Sequence, residues 1–267
     1  MAYRTLHRKA AIEDISESYE SDICYSIVGK KCLKNNIKVR DVFLPEIRVI
    51  EEQAFCNCTA LKNVEFPKIE RVKQQAFANC SNLKAVIFPK DLREVDQAAF
   101  YKCKRMEKVS FPEGSRCRTI PQQAFAECRQ LKQLVLPDTL EIIENEAFYK
   151  CDSLTYVRLP RLLLKIGDKS FYQCGLETLN LPDSLRYIGE SAFLKCKNLR
   201  YVRIPRSVEH IGKWAFHGCS RLEVLEIRHD PAEIGEWITN KNCTIRCRRG
   251  SRMEEYAREY ENPVEYL

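Results

Sequence analysis

The sequence predicts a solenoid: short parallel β-strands stacked in one continuous sheet, an opposite wall of short helical turns, and a helix closing the C-terminal end. Three observations predict it. A frame I-x-x-x-A-F-x-x-C-x-x-L-x-x-V-x-F-P recurs through most of the 267 residues. Its phenylalanines, Phe55, Phe77, Phe100, Phe125, Phe148, Phe171, Phe193 and Phe216, stand 22, 23, 25, 23, 23, 22 and 23 residues apart. A cysteine follows each of them three residues later, at Cys58, Cys80, Cys103, Cys128, Cys151, Cys174, Cys196 and Cys219. A fixed period of roughly 20 to 50 residues means that each repeat is one supersecondary unit, which buries its apolar face only by stacking on the next.

The strand comes from Val64-Glu65-Phe66-Pro67, Val86-Ile87-Phe88-Pro89 and Val202-Arg203-Ile204-Pro205, where apolar and variable residues alternate. The proline ends each strand, having no N–H to give to a continuing ladder. Such short strands cannot stand alone, so equivalent strands of successive coils must pair side by side. On the far side of the coil, A-F-x-x-C reads as a short helical turn. Small alanine lets neighbouring coils approach, and phenylalanine fills the interior between the walls. The isoleucine or valine four residues before the alanine begins the return. Departures are few: Met106 replaces the leucine, Ser170 replaces the alanine, and one residue is missing after Cys174.

At this period, the frame A-F-x-x-C-x-x-L-x-x-V-x-F-P resembles the BspA-like leucine-rich repeats over residues 42 to about 247. The resemblance implies a right-handed leucine-rich repeat solenoid with no catalytic residues of its own. Many members of that family are exported surface or adhesive proteins. Here the opening MAYRTLHRKAAIEDISESYE places Glu13, Asp14, Glu17 and Glu20 where a signal peptide needs its apolar stretch. The expected location is cytoplasmic, with surface or secreted as the alternative.

The end coils depart from the frame, as capping repeats do. Residues 1–41 are expected as an N-terminal cap segment over the coil that begins at Val42-Phe43-Leu44-Pro45. The solenoid is expected over 42–247, with eight full repeats and partial terminal coils, and a capping helix and tail over 248–267. After Ile227 the proline gives way to Arg228 and the frame decays. Ser251 as N-cap, with Glu254 and Glu255 in the first turn, marks the closing helix.

Fourteen cysteines admit disulfides, a zinc module or buried thiols, and spacing arbitrates. Equivalent side chains on stacked coils run parallel, about 4.8 Å or more apart, whereas a disulfide needs convergent Cβ atoms about 3.8 Å apart. No C-x-x-C pair occurs to hold zinc. The rung cysteines therefore read as a ladder of buried, reduced thiols, which suits a reducing compartment. Cys24, Cys32, Cys56, Cys117, Cys243 and Cys247 lie outside the rung; Cys243 and Cys247 share a strand face but stand too far apart to bond. Asn57, Asn79 and Asn242 open glycosylation sequons that, without secretion, read as accidents of the repeat.

The balance of 44 Lys and Arg against 37 Asp and Glu gives a net charge of +7, mixed along the chain and only a weak pull toward acidic partners. No window approaches the roughly 18 apolar residues of a membrane span. No phosphate-binding, dinucleotide-binding, zinc-protease or nucleophile-elbow motif occurs. His217-Gly218-Cys219 pairs a variable histidine with a rung cysteine, so His7, His210, His217 and His229 read as solvated or satisfied side chains. No catalytic residue, metal ligand or cofactor is expected.

What remains is surface. The residue inside each strand and the one before its central apolar residue point outward, because strand side chains alternate with period two. Up the solenoid these positions supply apolar Ile87 and Val135, then Tyr156 with Arg158 and Tyr201 with Arg203, residue types that dominate binding hot spots. These six are the expected partner-binding residues. The basic tail Arg246, Arg248, Arg249 and Arg252 reads as a solvated cap. The chain thus reads as a non-enzymatic protein-protein interaction scaffold, monomeric, and roughly 45 Å long at about 4.8 Å per strand. Its alternatives are an exported adhesin and, less favoured, a nucleic-acid-binding repeat protein that would stack bases on Tyr156 and Tyr201.

Overall fold

The computed structural model describes residues 5–7 and 25–267. Most of the segment expected as an N-terminal cap, with Cys24, lies outside the described residues. Each coil offers two strand positions. The first is the V-x-F strand, paired in parallel with its equivalents one coil away. Asp41–Phe43 pairs with Asn63–Glu65, and Ala85–Ile87, Lys108–Ser110 and Gln133–Val135 form a second group. Tyr201–Ile204, Val224–Ile227 and Thr244–Cys247 form a third. The register Val86↔Val109↔Leu134 keeps each central apolar residue on the core, while its neighbours face out. Residues 155–158 and 178–180 continue the frame but are not paired as strands. Between these two rungs falls the one-residue deletion after Cys174, where a Cβ on Gly175 would lie 2.4 Å from the Asp152 carbonyl oxygen.

The second position is the start of the return, where two-residue strands form a further parallel ladder. It runs from Thr5–Leu6 to Glu94–Val95 and resumes from Thr119–Ile120 to Glu233–Ile234. The break falls in the 25-residue coil, whose extra residues lie between Phe111 and Thr119. Pro121 adds to it. At the equivalent place one coil earlier, Asp96 donates its N–H to the Val72 carbonyl at 2.8 Å, and proline has none to give.

The opposite wall is more specific than a helical turn: it is a run of consecutive β-turns. Ala54, Cys56 and Cys58 donate to Glu51, Gln53 and Phe55 within the coil, while Gln53, Phe55 and Asn57 donate to Gln74, Ala76 and Ala78 of the next. A helix would commit every N–H to its own coil. Alternation frees every second one to tie coils together. The geometry demands positive φ two residues before and two after each phenylalanine: Gln53 and Asn57, Gln123 and Glu127, Glu146 and Lys150 all have φ between 56° and 62°. A left-handed conformation costs a residue with a side chain about 1–2 kcal/mol, and only Gly218 avoids that cost in this series. The cross-coil bonds made by these same N–H groups hold the strain in place. At the N-terminal end Asn79 Nδ2 donates to Asn57 Oδ1 at 2.9 Å, and Asn57 Nδ2 to Asn35 Oδ1 at 2.7 Å, so two of the three sequon nitrogens are engaged in an amide ladder.

Inside, the eight repeat phenylalanines form one column. Neighbouring ring centroids lie 5.0 to 5.7 Å apart and nearly parallel, from Phe55–Phe77 to Phe193–Phe216. The cysteine rung runs beside it. Each thiol donates to a carbonyl of the preceding coil: Cys80 to Phe55 at 3.1 Å, Cys151 to Phe125 at 3.3 Å, Cys219 to Phe193 at 3.2 Å. That carbonyl already accepts a backbone N–H of its own coil, as Phe125 does from Cys128, so the thiol fills its second lone pair. Cysteine recurs because the site needs a small apolar group that can also donate weakly. Burial pushes the thiols of Cys80, Cys103, Cys151 and Cys196 well above the ordinary thiol range, and Cys219 up to about 12.

The C-terminal end is closed by the helix Arg252–Glu259, whose Met253, Tyr256 and Ala257 are buried. Ser251 is its N-cap, accepting the Glu254 N–H, and Glu254 reaches back to the Gly250 N–H at 2.6 Å. The tail then adds one more strand, Val264–Tyr266, parallel to Thr244–Cys247.

Candidate recognition face

The outward side of the V-x-F ladder carries all six expected partner residues, exposed on one side of the molecule. Ile87, Val135, Tyr156 and Tyr201 are 45 to 63 % exposed, and Arg158 and Arg203 are exposed beside them. Two open grooves run between them. One, of about 790 Å³, is lined by Lys108, Lys132, Val135, Tyr156 and Arg158; the other, of about 480 Å³, by Thr178, Asn180, Arg200, Tyr201 and Arg203. Each reaches from a paired strand to a rung where the ladder is unpaired, residues 156–158 in the first and 178–180 in the second. The surface is thus indented rather than flat over the coils from Lys108 to Arg203. Phe43, 54 % exposed, heads the same column, paired with Glu65; its signal in the sequence was its place at the variable position of the V-F-L-P strand.

Tyr201 and Arg203 are not free anchors. Glu226, two per cent exposed though its column faces outward, holds them. Its carboxylate accepts from Tyr201 Oη at 2.8 Å, from Arg246 Nη1 at 3.2 Å and from Arg228 Nε at 2.5 Å, and Arg203 Nε stands 3.8 Å away. Desolvation pushes its pKa up, but the bonds from Arg228, Tyr201 and Arg246 outweigh that and hold it below the usual carboxylate value. This accounts for Arg228 standing where the frame has proline: the buried carboxylate needs the guanidinium. Burial of a single glutamate in a variable column leaves no other trace in the sequence.

The basic tail is only in part the solvated cap expected: Arg248 is exposed, but the other three arginines have partners. Arg246 bonds Glu226 and Glu265, Arg249 lies 4.5 Å over the Tyr266 ring, and Arg252 Nη1 donates to the Pro231 carbonyl at 3.3 Å. Arg246 and Arg252 thus bind the last strand and the closing helix to the solenoid, and Arg249 packs within the tail. The histidines stay apart. His210 stacks on Tyr187 with Nδ1 2.7 Å from Glu233, and His229 Nε2 lies 2.7 Å from the Val208 carbonyl. Among the described residues no group of three or more His, Cys, Asp or Glu side chains is placed to hold a metal ion, and no helix is long and apolar enough to cross a membrane. At the break in the second ladder a depression of about 640 Å³ opens among Arg71, Arg93, Arg116 and Arg118, a cluster the repeat frame does not signal.

Comparison with known proteins agrees with this architecture. The chain matches the BspA type leucine rich repeat region (6 copies) over residues 26–117 and 118–246. It is similar to a leucine rich repeat protein of T. pallidum, at 31 % identity over 68 % of this chain and 85 % of that one, with a TM-score of 0.56. A leucine-rich repeat protein of Bacteroides ovatus is similar at 19 % identity, covering 91 % of this chain and 88 % of that one, with a TM-score of 0.48. A leucine rich cell surface protein of Faecalibacterium prausnitzii is similar at 22 %, covering 91 % and 83 %, with a TM-score of 0.46. Curated proteins give no match. With its repeat profile matched across most of its length, the chain belongs to the BspA-type leucine-rich repeat family.

Proposed function

We propose that the protein is a non-enzymatic scaffold that recognises another protein along the outward side of its V-x-F ladder, with Ile87, Val135, Tyr156, Arg158, Tyr201 and Arg203 as contacts. The observation that carries this reading is the concentration of large apolar and aromatic side chains on one exposed strip. Phe43, Ile87, Val135, Tyr156 and Tyr201 belong to this strip, and burying them would release apolar area without unfolding anything. The coils behind it are locked by the phenylalanine column and by hydrogen bonds on several walls. The surface is therefore preorganised and loses little entropy on binding. The buried free thiols, with the rung members each bonded to a carbonyl, support a reducing location such as the cytoplasm.

The test is co-purification of wild type against a variant carrying Tyr156→Ala, Arg158→Ala, Tyr201→Ala and Arg203→Ala, at two salt concentrations. A protein partner retained by wild type and lost by the folded variant is the expected result. A partner indifferent to the four substitutions refutes the face, and recovery of only salt-sensitive nucleic acid refutes the function.

A further inference from the structure

The outward column of the last coils alternates in charge by register. Arg203 pairs across the ladder with Glu226, Glu226 with Arg246, and Arg246 with Glu265. The side chains follow the backbone: Arg246 Nη1 lies 3.2 Å from Glu226 and Arg246 Nη2 lies 3.0 Å from Glu265, while Arg203 Nε stands 3.8 Å from Glu226. The one interior arginine of this ladder, Arg246, has a carboxylate above and below. Arg203 ends it, with a carboxylate on one side only. On its other side the frame places Asn180, exposed and neutral, and one coil further on stands Arg158, exposed and without an acidic partner among the described ion pairs. Asn180 thus occupies the rung at which the alternation of arginine and glutamate would put a carboxylate, between two guanidiniums. The groove of about 480 Å³ opens over this rung.

We infer that this rung receives a side-chain carboxylate from an extended segment of the partner protein, held between Arg158 and Arg203. The inference rests on the reading of this face as a recognition surface, and it adds the chemistry of the partner. Guanidinium forks match carboxylate geometry, and Glu226 keeps Arg203 in place before the ligand arrives. The neighbouring rungs set the rest of the segment. Val135 lies two rungs from Asn180, with Tyr156 between them, so an apolar side chain bound at Val135 sits roughly 10 Å from the carboxylate. An extended chain in the polyproline II form covers that in about three residues, and its three residues per turn put side chains three apart on the same side. The partner segment therefore carries an apolar residue and an Asp or Glu three positions apart, running along the solenoid axis.

The experiment is selection from a displayed library of extended peptides about ten residues long, using the full chain as bait, followed by affinity measurement on synthetic winners. Three proteins are compared for the carboxylate, wild type, Arg203→Ala and Asn180→Asp, which supplies the carboxylate from within; a fourth, Tyr156→Ala, reads the face itself. Arg203 and Asn180 are exposed, and circular dichroism verifies that both variants fold. The expected winners carry the apolar-x-x-acid spacing. Replacing their acid by its amide weakens binding about tenfold or more, and both variants lose a similar factor. Winners without an acidic residue, no winners at all, or affinities within about twofold across the three proteins overturn the inference. Acid-independent peptides that are nonetheless lost with Tyr156→Ala leave the recognition face standing while the carboxylate rung falls. Peptides indifferent to every substitution on the face sink both.

Discussion

Phe125→Ala tests the column that holds the coils together. Phe125 is fully buried, stacked on Phe100 at 5.3 Å and on Phe148 at 5.7 Å, each within 6° of parallel. Removing the ring deletes its transfer free energy and leaves a cavity that the neighbours cannot close, because the strand and turn walls fix their backbones on both sides. The expected cost is about 3–5 kcal/mol. Of this, the two stacking contacts account for about 0.5–1.5 kcal/mol each. Urea denaturation followed by circular dichroism measures the total. A double-mutant cycle with Phe148→Ala isolates one contact as a coupling of the same 0.5–1.5 kcal/mol order. Phe43→Ala, at an exposed position on the sheet face, is the control and stays within about 0.5 kcal/mol. A Phe125→Ala cost below about 1 kcal/mol, or strict additivity in the cycle, refutes the claim that the rings form one mechanically continuous core.

The other predictions concern thiols, backbone strain and charge. Rung thiols are expected to resist alkylation in the native protein and to react only as it unfolds. Because burial raises the folded pKa of Cys80, Cys103 and Cys151 above the unfolded value, their contribution to stability is full at neutral pH and falls as pH climbs through about 9, where unfolded thiols ionise. Stoichiometric labelling under native conditions contradicts this. Ala98 has φ 55° and its neighbour Ala99 does not share that conformation; Ala98→Gly is therefore expected to be at least about 1 kcal/mol less damaging than Ala99→Gly in the same denaturation assay. Equal losses would show that the left-handed positions are unstrained. Glu226→Gln is expected to cost about 1.5–3 kcal/mol at pH 7, for its charge-assisted hydrogen bonds. Since the folded pKa of Glu226 is depressed, its contribution is present above the ordinary carboxylate value and is lost as pH falls below it. Acid titration of both proteins checks this: the gap between them closes at low pH, and a gap that persists refutes the assignment.

Much of the fold was legible because the alanine, phenylalanine and cysteine each do one job in every coil, so period, core and strand position follow from three letters. The turn wall was less legible. Positive φ at Gln53, Glu127 or Lys150 has no compositional mark, since the bonds those N–H groups make to the next coil, not the side chains, fix the conformation; only Asn57, Asn79 and Gly218 hint at it. The second ladder escaped because two residues are too few to show alternation. On the face, exposure of Ile87, Val135, Tyr156, Arg158, Tyr201 and Arg203 followed from period two. The role of Glu226 did not, because its burial depends on arginines at 228 and 246 that converge only when the last coils stack.

The break between Glu94–Val95 and Thr119–Ile120 interrupts one wall while the others cross it intact: Lys108 pairs with Gln133, and Phe100 donates to the Ala124 carbonyl at 2.9 Å. A tube fastened along two sides and open on the third behaves as a living hinge. Bending there breaks no backbone hydrogen bond of that wall, while the V-x-F wall has its own open stretch over residues 155–158 and 178–180, so the two walls yield at different heights along the rod. A rod whose open seams lie on different sides can settle onto a partner's contour without loosening the column of rings inside.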